Sequence, residues 1–290
     1  MSSASSLACA FCILVVFLLL KKGGAGIGPS GPIPQPGPGQ PLPIPTLAKK
    51  TAPWNIRTIR NETQIKVQGD VLRYEFKKGT HGSESGPAIY ANPFGKLPAE
   101  AATLSFNAWF PPDWDFVKAG KLLGLSIGAQ EGDHASGGEW SPTAGSARLM
   151  WRDPEGDSAI LKGYVYLAIE GGPAAAYNFQ GPQTKAVTTP DERTGYNLWY
   201  KKGGGMRLYK NKWNSLSLTV VLNTPGKANG QFSITCNGVR KEVRDIMWRQ
   251  SAAVKINELY MTAIFGGSDE SFAPPRDTYC LFRDFRFSTA

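Results

Sequence analysis

Beyond about residue 50, apolar and polar positions alternate in short runs bounded by Gly, Pro, Asn and Asp. A period of two places successive side chains on opposite faces of a strand. On that basis Val71–Phe76, Leu104–Phe110, Ser146–Arg152, Gly163–Ile169, Leu216–Leu222, Gln231–Cys236, Leu259–Phe265 and Tyr279–Phe287 each predict a strand. Leu216, Leu218 and Val220 alternate with Ser215, Ser217 and Thr219, one face buried and one wet. The run from Asn223-Thr224-Pro225-Gly226 to Asn229-Gly230 reads as a hairpin connection. With no sustained period of 3.6 and no βαβ rhythm, the expected fold class is all-β, an antiparallel β-sandwich or β-jelly roll.

The N-terminal region breaks this pattern. Leu7–Leu20 (LACAFCILVVFLLL) is continuously apolar and is followed by Lys21-Lys22. Residues 1–22 are therefore expected to be a hydrophobic anchor or signal segment, with attachment to a membrane through residues 7–20. An uncut anchor is favoured, because the basic n-region of a cleaved signal is absent. The two lysines are a weak vote for a cytoplasmic body, so the side of the membrane stays open. Residues 23–53 are rich in Pro and Gly and are expected to form a semi-rigid tether, leaving 54–290 as the folded domain. The G-x-G-x-x-G match at Gly26 to Gly31 is set aside, since prolines follow it where a helix should open.

Composition narrows the chemistry. The 290 residues carry a formal charge of +9, but residues 1–50 hold four lysines and no acid. The rest carries 28 basic and 23 acidic side chains, without the Lys/Arg blocks typical of a nucleic-acid binder. The two histidines, His81 and His134, exclude a three-His zinc site and make His-based hydrolysis an unpromising reading. Cys9 and Cys12 sit in the apolar run; Cys236 and Cys280 pair if the chain is exported, or stay as buried thiols. Asn61-Glu62-Thr63 is a glycosylation sequon of a kind common by chance.

Two strands carry more polar groups than a sandwich needs. In Ser146–Arg152 the residues Ala147, Leu149 and Trp151 point one way, leaving Ser146, Arg148, Met150 and Arg152 on the other face. In Gly163–Ile169 the same rule sends Tyr164 and Tyr166 out together. If these strands are neighbours, a Ser, one or two Arg and two Tyr share one surface, although exposed Tyr and Arg are ordinary on strands. Lys121 stands between Gly120 and Gly124, and the long Gly-rich segment Gly128–Gly145 suits a lid beside a groove. Trp114, Trp140, Tyr177, Trp199 and Tyr200 are candidate sugar-stacking rings, with a packing role at least as plausible for each.

These residues carry a family resemblance. Gly120-Lys121-Leu122-Leu123-Gly124-Leu125, Ser146-Ala147-Arg148-Leu149-Met150-Trp151-Arg152, Tyr164-Val165-Tyr166, Phe265-Gly266-Gly267-Ser268 and Arg283-Asp284-Phe285 resemble the pattern of polysaccharide lyase family 14, in order and spacing, across roughly residues 55 to 288. The resemblance is strongest to the chlorella-virus type of alginate or glucuronan lyase, and so to viral cell-wall degradation. It implies a β-jelly roll with a cleft on its concave sheet and β-elimination of uronic-acid polymers. It also implies function at Lys121, Ser146, Arg148, Tyr164 and Tyr166. The chain departs from the pattern at Leu123, where the family often has Pro, and at Ser126-Ile127-Gly128, where it has a Tyr-Gly-Gly-like continuation.

The chemistry accounts for these residue types. Cleaving a 4-linked uronate requires loss of the proton at C5, beside a carboxylate whose charge resists carbanion formation. Arg148 or Lys121 would neutralise that carboxylate. Tyr164 or Tyr166, its pKa of ~10 lowered by these cations, would take the proton and return one to O4. No metal or cofactor is demanded. The expected partner is an acidic polysaccharide, with no nucleic acid; the protein is expected to be a monomer, membrane-anchored or secreted and virion-associated. The alternative is a non-catalytic, lectin-like jelly roll that grips acidic polysaccharide. A glycoside hydrolase ranks last, because Glu139, Asp153, Glu155 and Asp157 fall in loops and no strand shows an acid pair at i, i+2.

Overall fold

Each of the eight expected strands coincides with or overlaps an observed one, Leu259–Phe265 being split in two, and further strands complete two sheets. The computed structural model describes residues 35–37, 39–47, 52–137, 141–170, 188–191, 195–198 and 205–290. Among them the first strands are β1 (Gln40–Pro41), β2 (Ile56–Arg60), β3 (Ile65–Gln68), β4 (Val71–Phe76), β5 (Ala88–Ala91), β6 (Ala101–Trp109), β7 (Ala119–Gly128), β8 (Ala144–Glu155) and β9 (Ser158–Tyr166). There follow β10 (Thr188–Asp191), β11 (Gly195–Leu198), β12 (Met206–Tyr209), β13 (Trp213–Val221), β14 (Gly230–Cys236), β15 (Val239–Ile246), β16 (Lys255–Thr262), β17 (Ile264–Phe265) and β18 (Thr278–Thr289).

Sheet 1 has the order β15-β14-β13-β6-β18-β4-β3, with β1 on β18. Sheet 2 has the order β10-β11-β9-β8-β7-β16-β5-β2, with β12 on β9 and β17 on β7. The fold is an antiparallel sandwich. Residues of one parity from each sheet fill the space between them: Leu104, Phe106 and Ala108 from sheet 1, and Leu125, Ala147, Leu149 and Val165 from sheet 2. An aromatic cluster of Phe76, Phe110, Trp114, Phe116, Trp151 and Phe265 closes one end. Each large side chain buried this way stabilises the fold by about 1.5–3 kcal/mol relative to its exposed state.

The outer faces of the two sheets differ. β4 and β6 alternate between buried and half-buried positions, as a one-sided sheet does. β9 and the first eight residues of β8 are buried at every position. Loops cover the outer face of sheet 2, and Ser126, Ser146, Arg148, Lys162 and Glu258 are buried there. Burying such groups is costly unless they are paired or functional, so this face holds the candidate chemistry.

Two expectations change and two open alternatives close. Asp153 and Glu155, expected in a loop, fall within β8. The tether expected over 23–53 is not all tether, because residues Pro34–Ala290 form one compact unit. Gln40 and Pro41 pair with Phe287 and Arg286, while Leu42, Ile44 and Leu47 are buried in the core. The Trp54 indole donates to the Pro43 carbonyl (2.9 Å), tying helix α1 (Ile44–Leu47) to the body. Proline spacing signals extended chain but not whether its apolar residues find a surface. Trp114 is not a sugar platform: it is 1% exposed and stacks on Phe265 at 4.9 Å. Cys236 and Cys280 are separate buried free thiols, and burial pushes the Cys236 thiol up to about 12. Leu7–Leu20, Trp140, Tyr177, Trp199 and Tyr200 lie outside the described residues; among the described ones no helix is long and apolar enough to cross a membrane.

Candidate active site

The candidate catalytic residues come from three adjacent strands. β7 pairs with β8, setting Lys121 beside Met150 and Gly124 beside Arg148. β8 pairs with β9, setting Ser146 beside Tyr166 and Arg148 beside Tyr164. The face shared by Ser146, Arg148, Tyr164 and Tyr166 is thus the one their alternation predicts. Lys121 reaches it by another route. Leu123, Leu125 and Ile127 face the core, so strict alternation would send Lys121 inward with them. A register shift between Lys121 and Gly124 inserts one extra residue, Leu122 and Leu123 both turn inward, and Lys121 emerges on the cleft side.

The cleft encloses about 700 Å³ and is lined by Arg60, Lys121, Arg148, Arg152, Tyr164 and Tyr260, among others. Among the described residues every ionisable group of that lining is a cation or a phenol, and none is a carboxylate. The Arg148 guanidinium lies 4.8 Å from the Tyr260 ring and 5.5 Å from the Tyr164 ring. Its Nε is buried and makes no hydrogen bond among the described residues. The Lys121 ammonium lies 5.5 Å from the Tyr164 ring. Glycines allow a close approach at both cations. A Cβ on Gly124 would fall 2.6 Å from Arg148 Cα, and one on Gly266 would fall 2.7 Å from Lys121 Nζ.

Tyr164 and Tyr166 share a hydroxyl–hydroxyl hydrogen bond of 3.0 Å, with rings at 83°. Tyr164 lines the cleft, whereas Tyr166 is 0% exposed behind it. Ser146 does not reach the lining either: its hydroxyl donates to the Ala135 carbonyl (2.8 Å), pinning the Gly-rich segment to the sheet. Ser136 and Gly137 from that segment line the cleft, so it does lie beside the groove.

The opposite wall was not found from sequence. Tyr90 on β5 stacks on Tyr260 of β16 at 5.2 Å, and the His134 ring sits 4.7 Å from Tyr260. His134 Nδ1–H donates to the Gly132 carbonyl (3.0 Å). Burial, aided by the Arg148 charge, holds this imidazole below the usual histidine range despite that bond. Burial raises the Tyr90 phenol, and Tyr260 adds to the effect. Glu258, fully buried, is held by Arg57 through both carboxylate oxygens, one at 3.0 Å, and this bond raises the Arg57 pKa. The one signal in the sequence for this wall was the alternation of Tyr260 and Thr262 with Leu259 and Met261; Ala88–Ala91 is too short to stand out.

Comparison with known proteins agrees with the geometry. The fold superimposes on alginate lyase vAL-1 from Chlorella virus with a TM-score of 0.69 at 22% identity, covering 87% of this chain and 99% of that one. The marine PL-14 alginate lyase from Aplysia kurodai gives 0.66 at 24% identity, over 81% and 90% of the two chains. Exolysin of Paramecium bursaria Chlorella virus 1 is 23% identical over 221 residues, 73% of this chain; the chain spans about a third of that relative's length. The family model for polysaccharide lyase 14 matches residues 64–285, most of the sandwich and every lining residue named above except Arg60. The chain belongs to the polysaccharide lyase 14 family.

Proposed function

We propose that the protein cleaves 4-linked uronic-acid polymers, of the alginate or glucuronan type, by β-elimination. The observation that carries this reading is the cleft lining: four cations and three phenols, with no carboxylate among the described residues. Such a surface attracts a polyanion and lacks the acid pair that glycoside hydrolysis uses.

In this reading the Arg148 guanidinium, which lines the cleft, pairs with the substrate carboxylate. Lys121 adds a second positive charge as the carbanion develops, and both cations are fixed before the substrate arrives. Tyr164, which opens to the cleft, acts as a phenolate and takes the C5 proton, becoming a neutral phenol. The electron pair forms the C4–C5 double bond, the C4–O4 bond breaks, and a proton returns to O4 from the same phenol. Tyr166 orients the Tyr164 hydroxyl from behind. Ser146 acts at a distance by holding the loop that carries Ser136 and Gly137.

The test is the ultraviolet absorbance of the unsaturated product when full-length protein is incubated with alginate or with glucuronan. Release of product by the wild type, reduced about 10²-fold or more in Lys121→Ala and Tyr164→Phe, is expected. No product from either polymer sinks the proposal. The run 7–20 is proposed as a membrane anchor; a mature N-terminus beyond Lys22 in soluble protein would remove that part.

A further inference from the structure

On the two central strands of sheet 1 the outward residues include Ser and Thr: Thr103 and Ser105 on β6, and Ser215, Ser217 and Thr219 on β13, all point away from the core. At one end of the same strands the outward residues change character. Cross-strand register places Trp213, Trp109, Leu281, Arg73 and Lys66 in one row across β13, β6, β18, β4 and β3. Tyr279 flanks the row, its ring 6.1 Å from Trp109 and tilted by 33°. With strands ~4.8 Å apart, the row runs for roughly 19 Å at right angles to them.

The row is apolar at one end and cationic at the other. Trp213, Trp109 and Leu281 remain half-buried on an outward face, where nothing in folding requires large apolar groups. Arg73 lies 3.7 Å from the Tyr279 ring, and Arg283 lies 4.1 Å from Trp213. These contacts order the guanidinium planes. Arg73 Nε donates to Glu75 at 3.0 Å, orienting its guanidinium, and Asp284 approaches Nε of Arg283 at 3.1 Å. Lys66 adds a solvent-exposed positive charge beyond Arg73. Indole faces match the apolar faces of sugar rings, and ordered guanidiniums match carboxylates.

We infer that this row is a second, non-catalytic binding surface for a linear carboxylated polysaccharide, on the sheet opposite the cleft. The inference rests on the proposed function only for the identity of the polymer. Such a surface raises the local concentration of polymer around the cleft, while short oligosaccharides gain nothing from it.

Full-length wild type and a Trp109→Ala/Trp213→Ala variant are compared by electrophoresis through gels containing alginate or glucuronan, and by initial rates on polymer and on tetrasaccharide. The variant is expected to bind polymer about tenfold more weakly and to cleave it more slowly, with its tetrasaccharide rate within about twofold of wild type. Lys66→Glu/Arg73→Glu, which leaves the indoles intact, is expected to act in the same direction and guards against misfolding of the first variant. Unchanged retardation in both variants overturns the inference. So does a wild-type dimer that either variant dissociates, since the row would then join two copies of the chain. If the wild type cleaves neither polymer, the lyase reading fails, and gel retardation still decides the surface.

Discussion

Gly124→Ala offers the sharpest test of how the fold positions the chemistry. A Cβ there would sit 2.6 Å from Arg148 Cα and 2.8 Å from Arg148 Cγ, and would also strike the Ala147 carbonyl oxygen. Ordinary contact begins at 3.4 Å, so β8 must move away from β7 by nearly 1 Å at the residue assigned to the substrate carboxylate. Overpacking of this kind costs ~1–3 kcal/mol, a fall of roughly 2–12 °C in Tm for a domain of this size. A displacement of ~1 Å at a catalytic group costs about 10²-fold in turnover. Gly230→Ala is the control: its Cβ would meet Trp248 Cδ1 at 2.6 Å and the Ile246 carbonyl at 2.7 Å, in sheet 1 away from the cleft. Both variants should melt earlier, but only Gly124→Ala should lose about two orders of magnitude in product absorbance at a temperature where both are folded. Equal activity in the two variants would refute the claim that the β7–β8 contact fixes Arg148.

Other perturbations probe the remaining links. Ile44→Ala should destabilise the protein by about 2–5 kcal/mol in chemical denaturation, against under ~0.5 kcal/mol for the exposed Gln40→Ala; equal values would return residues 40–47 to the tether. Tyr260→Ala should lower kcat by removing one wall of the Arg148 sandwich, and Tyr260→Phe, which keeps the ring, should restore most of it; identical losses in the two would assign the role to the hydroxyl instead. Because the folded state holds His134 below its unfolded pKa of ~6.5, the unfolded chain binds the proton first, so stability is full above that value and falls as pH drops through it. Melting temperature against pH should therefore decline less steeply below pH ~6.5 in His134→Gln than in the wild type.

Much of the sandwich was legible because a one-sided strand writes its environment into the sequence. Val71–Phe76 and Leu216–Leu222 alternate cleanly, and both fall on sheet 1, whose outer face meets water. β7 was not read as a strand: Leu122 through Ile127 is nearly continuous in apolar residues, since both faces of sheet 2 are covered and a bulge interrupts the period. The site was half legible for the same reason. Arg148, Tyr164 and Tyr166 betray themselves as polar residues on a buried strand face. Tyr90, Arg57 and Arg60 arrive from strands more than 100 residues from Tyr260, and no local pattern announces a partner that far away. The packing of Leu42, Ile44 and Leu47 likewise depends on a groove that exists only once β18 is in place.

The position of β18 bears on how the chain acquires its shape during synthesis. This strand is translated after every other strand described, yet it lies in the interior of its sheet, between β6 and β4. Until it leaves the ribosome, β6 and β4 each expose an unpaired edge, and Leu104, Phe106 and Leu72 lack their cover. Domains whose closing contacts are this distant in sequence pass slowly through aggregation-prone forms. The nascent chain therefore completes its sandwich only once β18 has left the ribosome, and loss of Thr278–Thr289 would remove a beam from the middle of the wall and not a fringe from its edge.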